Sequence, residues 1–445
     1  MDNRRLQTLS FIAIMTTCGI IFLLHGLLQA NSILDYYITQ HQEYIQEEQH
    51  AALVPSGNIS QRGDIDRFPI FGTKEFDRRC PWIHLGRPPT KSLRNCTILA
   101  RPSPQTAEGI SSWIPHVVSG HVMSLQTGCR FLLDYGVGID LSRVLEPRSP
   151  WIDWRVPENY NCDRDPYCVL ASDRYTDLGG KDKKAAVAKV SGKDEIASVH
   201  NVRTAFKSKI DESLKELSLP DLRKALPGLE LSSFATCSLR SLFRLSKNAI
   251  EFQPNIFSTI LPKLHSKHSM SISLYIRTGR TENLGGKEPT AEHREKALPI
   301  IECAIHLEEK YRPTTSTWMI VTDSQYLKRW ITDTYTKSSD VRTVLHTQST
   351  GAHTRATRGP STVDFAEAFI DWYLIGESDV VIGSGPSFSD TATLRTKRPY
   401  YLEERGKCLK KEVFETVEVG KDEHKLGFLF NLNITRKIPP STGPR

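Results

Sequence analysis

The 445-residue sequence has no pair of cysteines at C-x-x-C spacing, which argues against a zinc ribbon or finger. It has no long basic run. Lys and Arg number 58 against 51 Asp and Glu, a net charge of +7, and the densest stretch, "GGKDKKAAVAKVSGKDE", mixes in acids and small residues. A mild, dispersed surplus fits an anionic ligand or surface; it does not imply a nucleic-acid partner. There is no internal repeat, which excludes a solenoid. Acids, Lys and Arg are all missing from Leu6 to Leu28, "LQTLSFIAIMTTCGIIFLLHGLL". At about 1.5 Å per residue, such a run crosses a bilayer core of about 30 Å.

What flanks that run sets an orientation. Arg4 and Arg5 precede it, while Asp35, Glu43, Glu47 and Glu48 follow. The positive-inside rule then predicts a cytosolic tail at 1–5, an anchor at 6–28 and a lumenal remainder. A cleaved signal peptide ending at "LQA" is the alternative, but the apolar core exceeds the length usual for one. Nine cysteines are present: Cys18 lies in the span, leaving an even eight, Cys80, Cys96, Cys129, Cys162, Cys168, Cys237, Cys303 and Cys408. An even set beyond the membrane predicts disulfides, with Cys162 and Cys168 placed to close a small loop around "DRDPY". Three glycosylation sequons begin at Asn58, Asn95 and Asn433.

The polar segment 29–75 reads as a stem, and "RRCPWIHLGRPPTKSLRNCTILARPSP" as a loop-rich entry. Trp113, Val117, Val118, His121 and Leu125 fall at helical spacing, Gly128 ends that helix, and "RFLLDYG" is a strand ending at Asp134. This opens an α/β unit at 76–245, with a Lys-rich insertion at 172–230. "SLRSLFRLSKNAIEFQPNIFSTILPKL" shows the apolar period of a packed helix. A second α/β series follows within 246–445 and runs to about residue 405: strands "MSISLYI", "TWMIVT", "VRTVLH" and "DVVIG", each trailed by an amphipathic helix. That alternation predicts a parallel, doubly wound sheet.

Open α/β sheets bind ligands beyond the carboxyl ends of their strands. Three such ends carry polar chemistry here. "LYIRTGR" places Arg277 and a Gly279 turn after one strand. "IVTDS" supplies Thr322, Asp323 and Ser324 after another. "VVIGSGPSFSD" breaks a buried strand into Ser387, Phe388 and Ser389 at a helix start. Free amides and hydroxyls at a helix N-terminus bind phosphate, and an arginine on the neighbouring strand end clamps it from the other side. Plain helix capping by Ser387 is the simpler reading of that motif taken alone.

These stretches, "SISLYIRTGR", "WMIVTDS" and "DWYLIGESDVVIGSGPSFSDTA", resemble the three motifs of the fucosyltransferase superfamily of α1,2-, α1,6- and protein O-fucosyltransferases. "HVVSGHVMSLQTGCRFLLDYG" and "CSLRSLFRLS" resemble its N-terminal half, so the likeness covers roughly residues 110–405. It implies a GT-B type fold of two Rossmann-like domains, GDP-fucose as donor, inversion, and no required metal or cofactor. Within the motifs, Arg277 matches the arginine that binds the donor pyrophosphate. Tyr275 stands where the family has His, and Arg280 where it has an acid three residues on. Asp323 matches the aspartate ending the second motif. Asp371 matches an acid that holds the donor nucleoside, and Ser387 and Phe388 match the pair beside the diphosphate. The general base is to be sought among Glu282, Glu288 and Asp134, with Glu282 favoured for its nearness to Arg277.

The resemblance thus implies a Golgi or endoplasmic-reticulum fucosyltransferase acting on a glycan or glycoprotein. Two alternatives stand beside it. One is a catalytically degenerate glycan-binding member, suggested by Tyr275 and Arg280. The other is a lumenal sulfotransferase, which would want a Gly/Lys/Ser phosphate loop near the start of the folded part, where none occurs.

Overall fold

The computed structural model describes residues 70–86, 96–102, 109–135, 140–148, 152–162, 164–171, 226–228, 233–279, 289–336, 341–351, 361–383, 388–404 and 407–411. The predicted tail and span, the stem up to residue 69, insertion residues 172–225, and Asn58, Asn95 and Asn433 lie outside them. Among the described residues no helix is long and apolar enough to cross a membrane. All the described residues fall in one compact unit.

A short helix, α1 (Lys74–Arg79), opens the described chain, and β1 (Thr97–Ala100) follows. Next come α2 (Ile110–Thr127), β2 (Arg130–Leu133), β3 (Leu145–Glu146) and β4 (Cys168–Leu170). Strands β2, β1 and β4, in that order, make a small parallel sheet. The entry segment is therefore not the plain loop that its prolines suggest. "TILA" supplies a buried strand only four residues long, too short for alternation to reveal.

The stretch read as one packed helix is broken. Helix α3 (Phe234–Leu242) stops as Phe243 turns extended. After it come β5 (Arg244–Leu245), a tight 3-10 turn at Lys247–Glu251, a π turn at Ile256–Ile260 and α4 (Leu261–Leu264). Ser246 accepts from the Asn248 amide and starts a new turn, while Pro254 supplies no backbone donor. The apolar spacing survives because these turns bury the same residues a helix would have buried.

The larger sheet is built from β6 (Ser269–Ile276), β7 (Thr315–Thr322), β8 (Arg342–His346), β9 (Val380–Gly383), β10 (Tyr400–Glu404) and β11 (Lys407–Lys411). Its helices are α5 (Thr290–Tyr311), α6 (Gln325–Ile331), α7 (Thr362–Glu377) and α8 (Phe388–Thr396). The strand order is β11-β10-β9-β6-β7-β8, parallel except for β11, whose hairpin with β10 carries the sheet past the predicted end. The chain starts at the centre with β6, winds to β8, then returns to β9 on the other side. The crevice where winding reverses lies between β6 and β9.

Alternation along β6 explains its place. Met270, Ile272, Leu274 and Ile276 pack with Ile300, Ile301, Ala304 and Leu307 of α5. On the opposite face Ser271 donates to Asp379 at 3.1 Å, and Ser273 shares a hydrogen bond with Ser378 at 2.7 Å. Those small, satisfied hydroxyls let the α7 side approach. The core on that side is continuous with the N-terminal half: Trp113 meets Phe369 edge-on at 6.0 Å, and Tyr135 meets Phe365 at 5.2 Å.

All eight predicted cysteines pair, as Cys80–Cys237, Cys96–Cys129, Cys162–Cys168 and Cys303–Cys408. The denatured, unreduced chain should therefore titrate a single thiol, Cys18. More than one reactive thiol in the unreduced chain would refute this pairing. Breaking Cys80–Cys237, which spans a sequence separation of 157, should cost about 2–5 kcal/mol of stability by freeing a long loop in the unfolded chain.

Candidate active site at the sheet crossover

Arg277 follows β6 directly and its side chain is exposed. Gly279, at φ 87, turns the chain back. Asp323 holds that turn: one carboxylate oxygen accepts from the Thr278 amide at 2.7 Å and the Thr278 hydroxyl at 2.8 Å, the other from the Gly279 amide at 3.0 Å. Lys296 of α5 donates to the Thr278 carbonyl at 2.8 Å. Asp323 is thus spent on backbone, and it braces the segment that presents Arg277. Its neighbour Ser324 caps α6 through the Leu327 amide at 3.1 Å and bonds His293 at 3.0 Å.

Across the crevice, α8 begins at Phe388 just after β9. The Phe388 ring stacks on Tyr275, with centroids 5.3 Å apart and planes 26° apart. Behind them Tyr400 lies 3.2 Å from the Ser389 hydroxyl. Burial pushes the Tyr275 hydroxyl up to about 12, against the pull of Arg277, which bonds it. Tyr275 is therefore a neutral hydrogen-bonding group at any physiological pH. If the site is catalytic, kcat/KM should show no titration from this residue between about pH 6 and 9. Tyr275→His should add one: an imidazole beside Arg277 charges only below its ordinary value of about 6.5, so the limb appears on the acid side. Identical profiles for the two proteins would contradict this.

Asp371 occupies a different place from the open crevice. It is buried in α7 and accepts from the Thr347 hydroxyl at 2.6 Å. Lys328, buried in α6, donates to the Thr347 carbonyl at 3.2 Å and to the Ser349 carbonyl. Burial raises the Asp371 carboxyl and lowers the Lys328 ammonium, and each charge offsets the other's shift. Together they fasten the segment after β8 to the helices beneath it. Thr347, Ser349 and Lys328 were not singled out from the sequence. Lys328 had a signal: Ser324, Leu327, Lys328 and Ile331 share one helical face, so the lysine had to be buried.

Tyr275, Arg277 and Phe388 are therefore brought together, with Asp323 bracing them and Asp371 one strand further out, beyond β7. Ser387, Glu282, Arg280 and Glu288 lie outside the described residues. Asp134, at the end of β2, pairs with Arg101. The sequence also holds two Asp-x-Asp triplets, at Asp64 and at Asp163. Of these only Asp165 is described: it accepts from the Tyr160 hydroxyl at 2.9 Å and the Tyr167 amide at 2.9 Å within the Cys162–Cys168 loop.

No family model matches the chain, and no curated protein matches it in sequence. It is similar to several solved structures. One is FUT1 from Arabidopsis thaliana in complex with GDP, at TM-score 0.42 and 11% identity, over 76% of this chain and 80% of that one. A second is the α-1,6-fucosyltransferase NodZ co-crystallised with GDP, at TM-score 0.39 and 13% identity, over 72% and 98%. A third is POFUT1 in its apo form, at TM-score 0.32 and 9% identity, over 71% and 99%.

Proposed function

We propose that this protein transfers fucose from GDP-fucose to a glycan or glycoprotein, with inversion and without a metal. We further propose a single-pass type II topology in the Golgi or endoplasmic-reticulum membrane, with two Rossmann-like halves in the lumen. The observation that carries the enzymatic reading is the crossover. An exposed arginine on a braced turn after β6 bonds Tyr275, which stacks on Phe388 at the start of α8 after β9, and a nucleoside diphosphate in that crevice would meet a guanidinium on one side and helix-terminal amides on the other.

The chemistry follows from where charge builds. As the sugar–phosphate bond breaks, negative charge accumulates on the departing β-phosphate. Arg277 and the amides at the start of α8 stabilise that charge more in the transition state than in the bound donor. Tyr275, uncharged and bonded to Arg277, orients the guanidinium. Glu282 is the proposed acceptor of the proton released by the attacking hydroxyl.

Incubating the full chain with labelled GDP-fucose and a glycan array tests the reading. Label transferred to any glycan supports it. If the protein binds glycans but neither transfers fucose nor hydrolyses GDP-fucose, the degenerate lectin-like alternative, prompted by Tyr275 and Arg280, replaces it.

A further inference from the structure

The opposite end of the large sheet carries a second concentration of charge. Glu377 closes α7 just before β9, and His265 precedes β6. Both therefore lie at the amino ends of the strands, about 25 Å along β6 from Arg277. Glu377 is buried. It pairs with Arg395 of α8 at 2.7 Å, with Arg240 of α3 at 3.4 Å and with the half-exposed His265 at 2.8 Å. Arg395 is fully buried and Arg240 nearly so. Arg148, from the segment after β3, reaches the Tyr373 hydroxyl at 3.4 Å and is only partly covered.

Two guanidiniums, of Arg240 and Arg395, thus meet one carboxylate, and a third, of Arg148, reaches Tyr373 on the same helix, whose ring lies 3.7 Å from the Arg395 guanidinium carbon. The Nε donors of Arg148, Arg240 and Arg395 are all buried without a hydrogen-bond partner. The rings of Tyr373 and Trp372, 3.7 and 5.7 Å from the Arg395 guanidinium carbon, offer cation–π contact but not a lone pair. The helix is shaped to admit this charge: a side chain at Gly376 would come within 2.8 Å of Arg395 Nη2. Arginine does not escape burial by losing its proton at neutral pH, so the surplus positive charge needs a counter-ion.

We propose that Arg148, Arg240 and Arg395 form a binding site for one small doubly charged oxyanion, phosphate or sulfate. With three positive groups and one carboxylate, a dianion brings the cluster to neutrality. Its oxygens match the forked donors of guanidinium groups. The half-covered Arg148 is the entry side, because Arg240 and Arg395 are closed off by α3, α7 and α8. The depth favours a free ion over an anionic group on a large glycan. This site is independent of the proposed donor crevice.

Thermal unfolding of the full chain tests it, with sodium phosphate or sulfate titrated against sodium chloride at matched ionic strength. The wild type should show a saturable rise in Tm. Arg148→Gln, the least buried of the three changes, should shift the midpoint about ten- to a hundred-fold to higher anion concentration. Arg277→Ala should keep the saturable rise and its dependence on Arg148. Three results would overturn the site: a rise that never saturates and is shared by all variants, a midpoint unchanged in Arg148→Gln, or a response lost in Arg277→Ala, which would put the anion in the donor crevice. Failure of the fucose-transfer reading would show only in the transfer assay and would leave this titration intact.

Discussion

Replacing Arg277 by alanine should lower the proposed fucose transfer roughly thirty- to a thousand-fold, the loss of about 2–4 kcal/mol of transition-state stabilisation. GDP affinity should fall less, because the guanidinium matters most when the leaving phosphate has gained charge. Arg277→Lys should recover little, since a point charge on a flexible stem does not reproduce a planar two-pronged contact. Thermal stability should hardly move: Arg277 is exposed, and its turn is fastened by Asp323 through Thr278 and Gly279. Asp323→Asn should separate the two roles. It keeps an acceptor for one amide but loses the other, so the turn loosens and transfer falls while the arginine is still present. Turnover of the wild type and the Ala, Lys and Asn variants, with melts alongside, decides the matter. Near-normal turnover in Arg277→Ala would remove the donor site from this crevice.

Glu377→Gln should destabilise the fold by about 3–5 kcal/mol at neutral pH. The amide keeps the shape and removes the one carboxylate facing Arg240 and Arg395. Those guanidiniums then stay buried without the carboxylate that pairs with them among the described residues. The same pairing sets a pH dependence. Burial alone would raise the Glu377 carboxyl, but Arg395, His265 and Arg240 together hold it well below its ordinary value of 4.5. A depressed folded-state value means the stabilisation is fully present above that ordinary value. It fades as pH falls through the folded value. The gap between wild type and Glu377→Gln should therefore be widest near neutrality and narrow in acid. Urea unfolding of both proteins across that range measures it. A gap that stays constant from neutral to acid pH would show that the pairing with arginine does not supply the stabilisation. Any protein that remains folded should keep its transfer rate, because Glu377 sits at the other end of the strands from Arg277.

Much of the large sheet was legible in the sequence. Strands β6, β7 and β8 and helices α2, α5 and α7 are long enough for a strand or helix pattern to declare itself, and the four-residue β9 was legible only as a continuous apolar run between two helical patterns. Even the crossover crevice was implied, since alternating strands and helices require a crossover, and Arg277 and Phe388 follow strands that can flank it. The even cysteine count implied disulfides because pairing is a matter of number and compartment. It could not assign partners, as Cys80 and Cys237 are brought together only by chain folding over a separation of 157.

Other features were decided by tertiary structure alone. A four-residue strand such as β1 has no period to read; it exists because β2 and β4 supply its hydrogen bonds. The broken segment after α3 kept a helical spacing while abandoning the helix, because burial selects the same side chains whichever backbone presents them. Asp323 and Asp371 both matched motif positions, yet a carboxylate's role depends on what its oxygens accept. Asp323 is taken up by a turn 44 and 45 residues earlier in the chain, and Asp371 by Thr347 beside Lys328. The arginine cluster left no trace in the sequence: Arg148, Arg240, Glu377 and Arg395 come from four separate segments. Composition sets how many charges a chain has, and local pattern sets which helix or strand carries each. Which charges share one desolvated space follows only from the packing of those elements together.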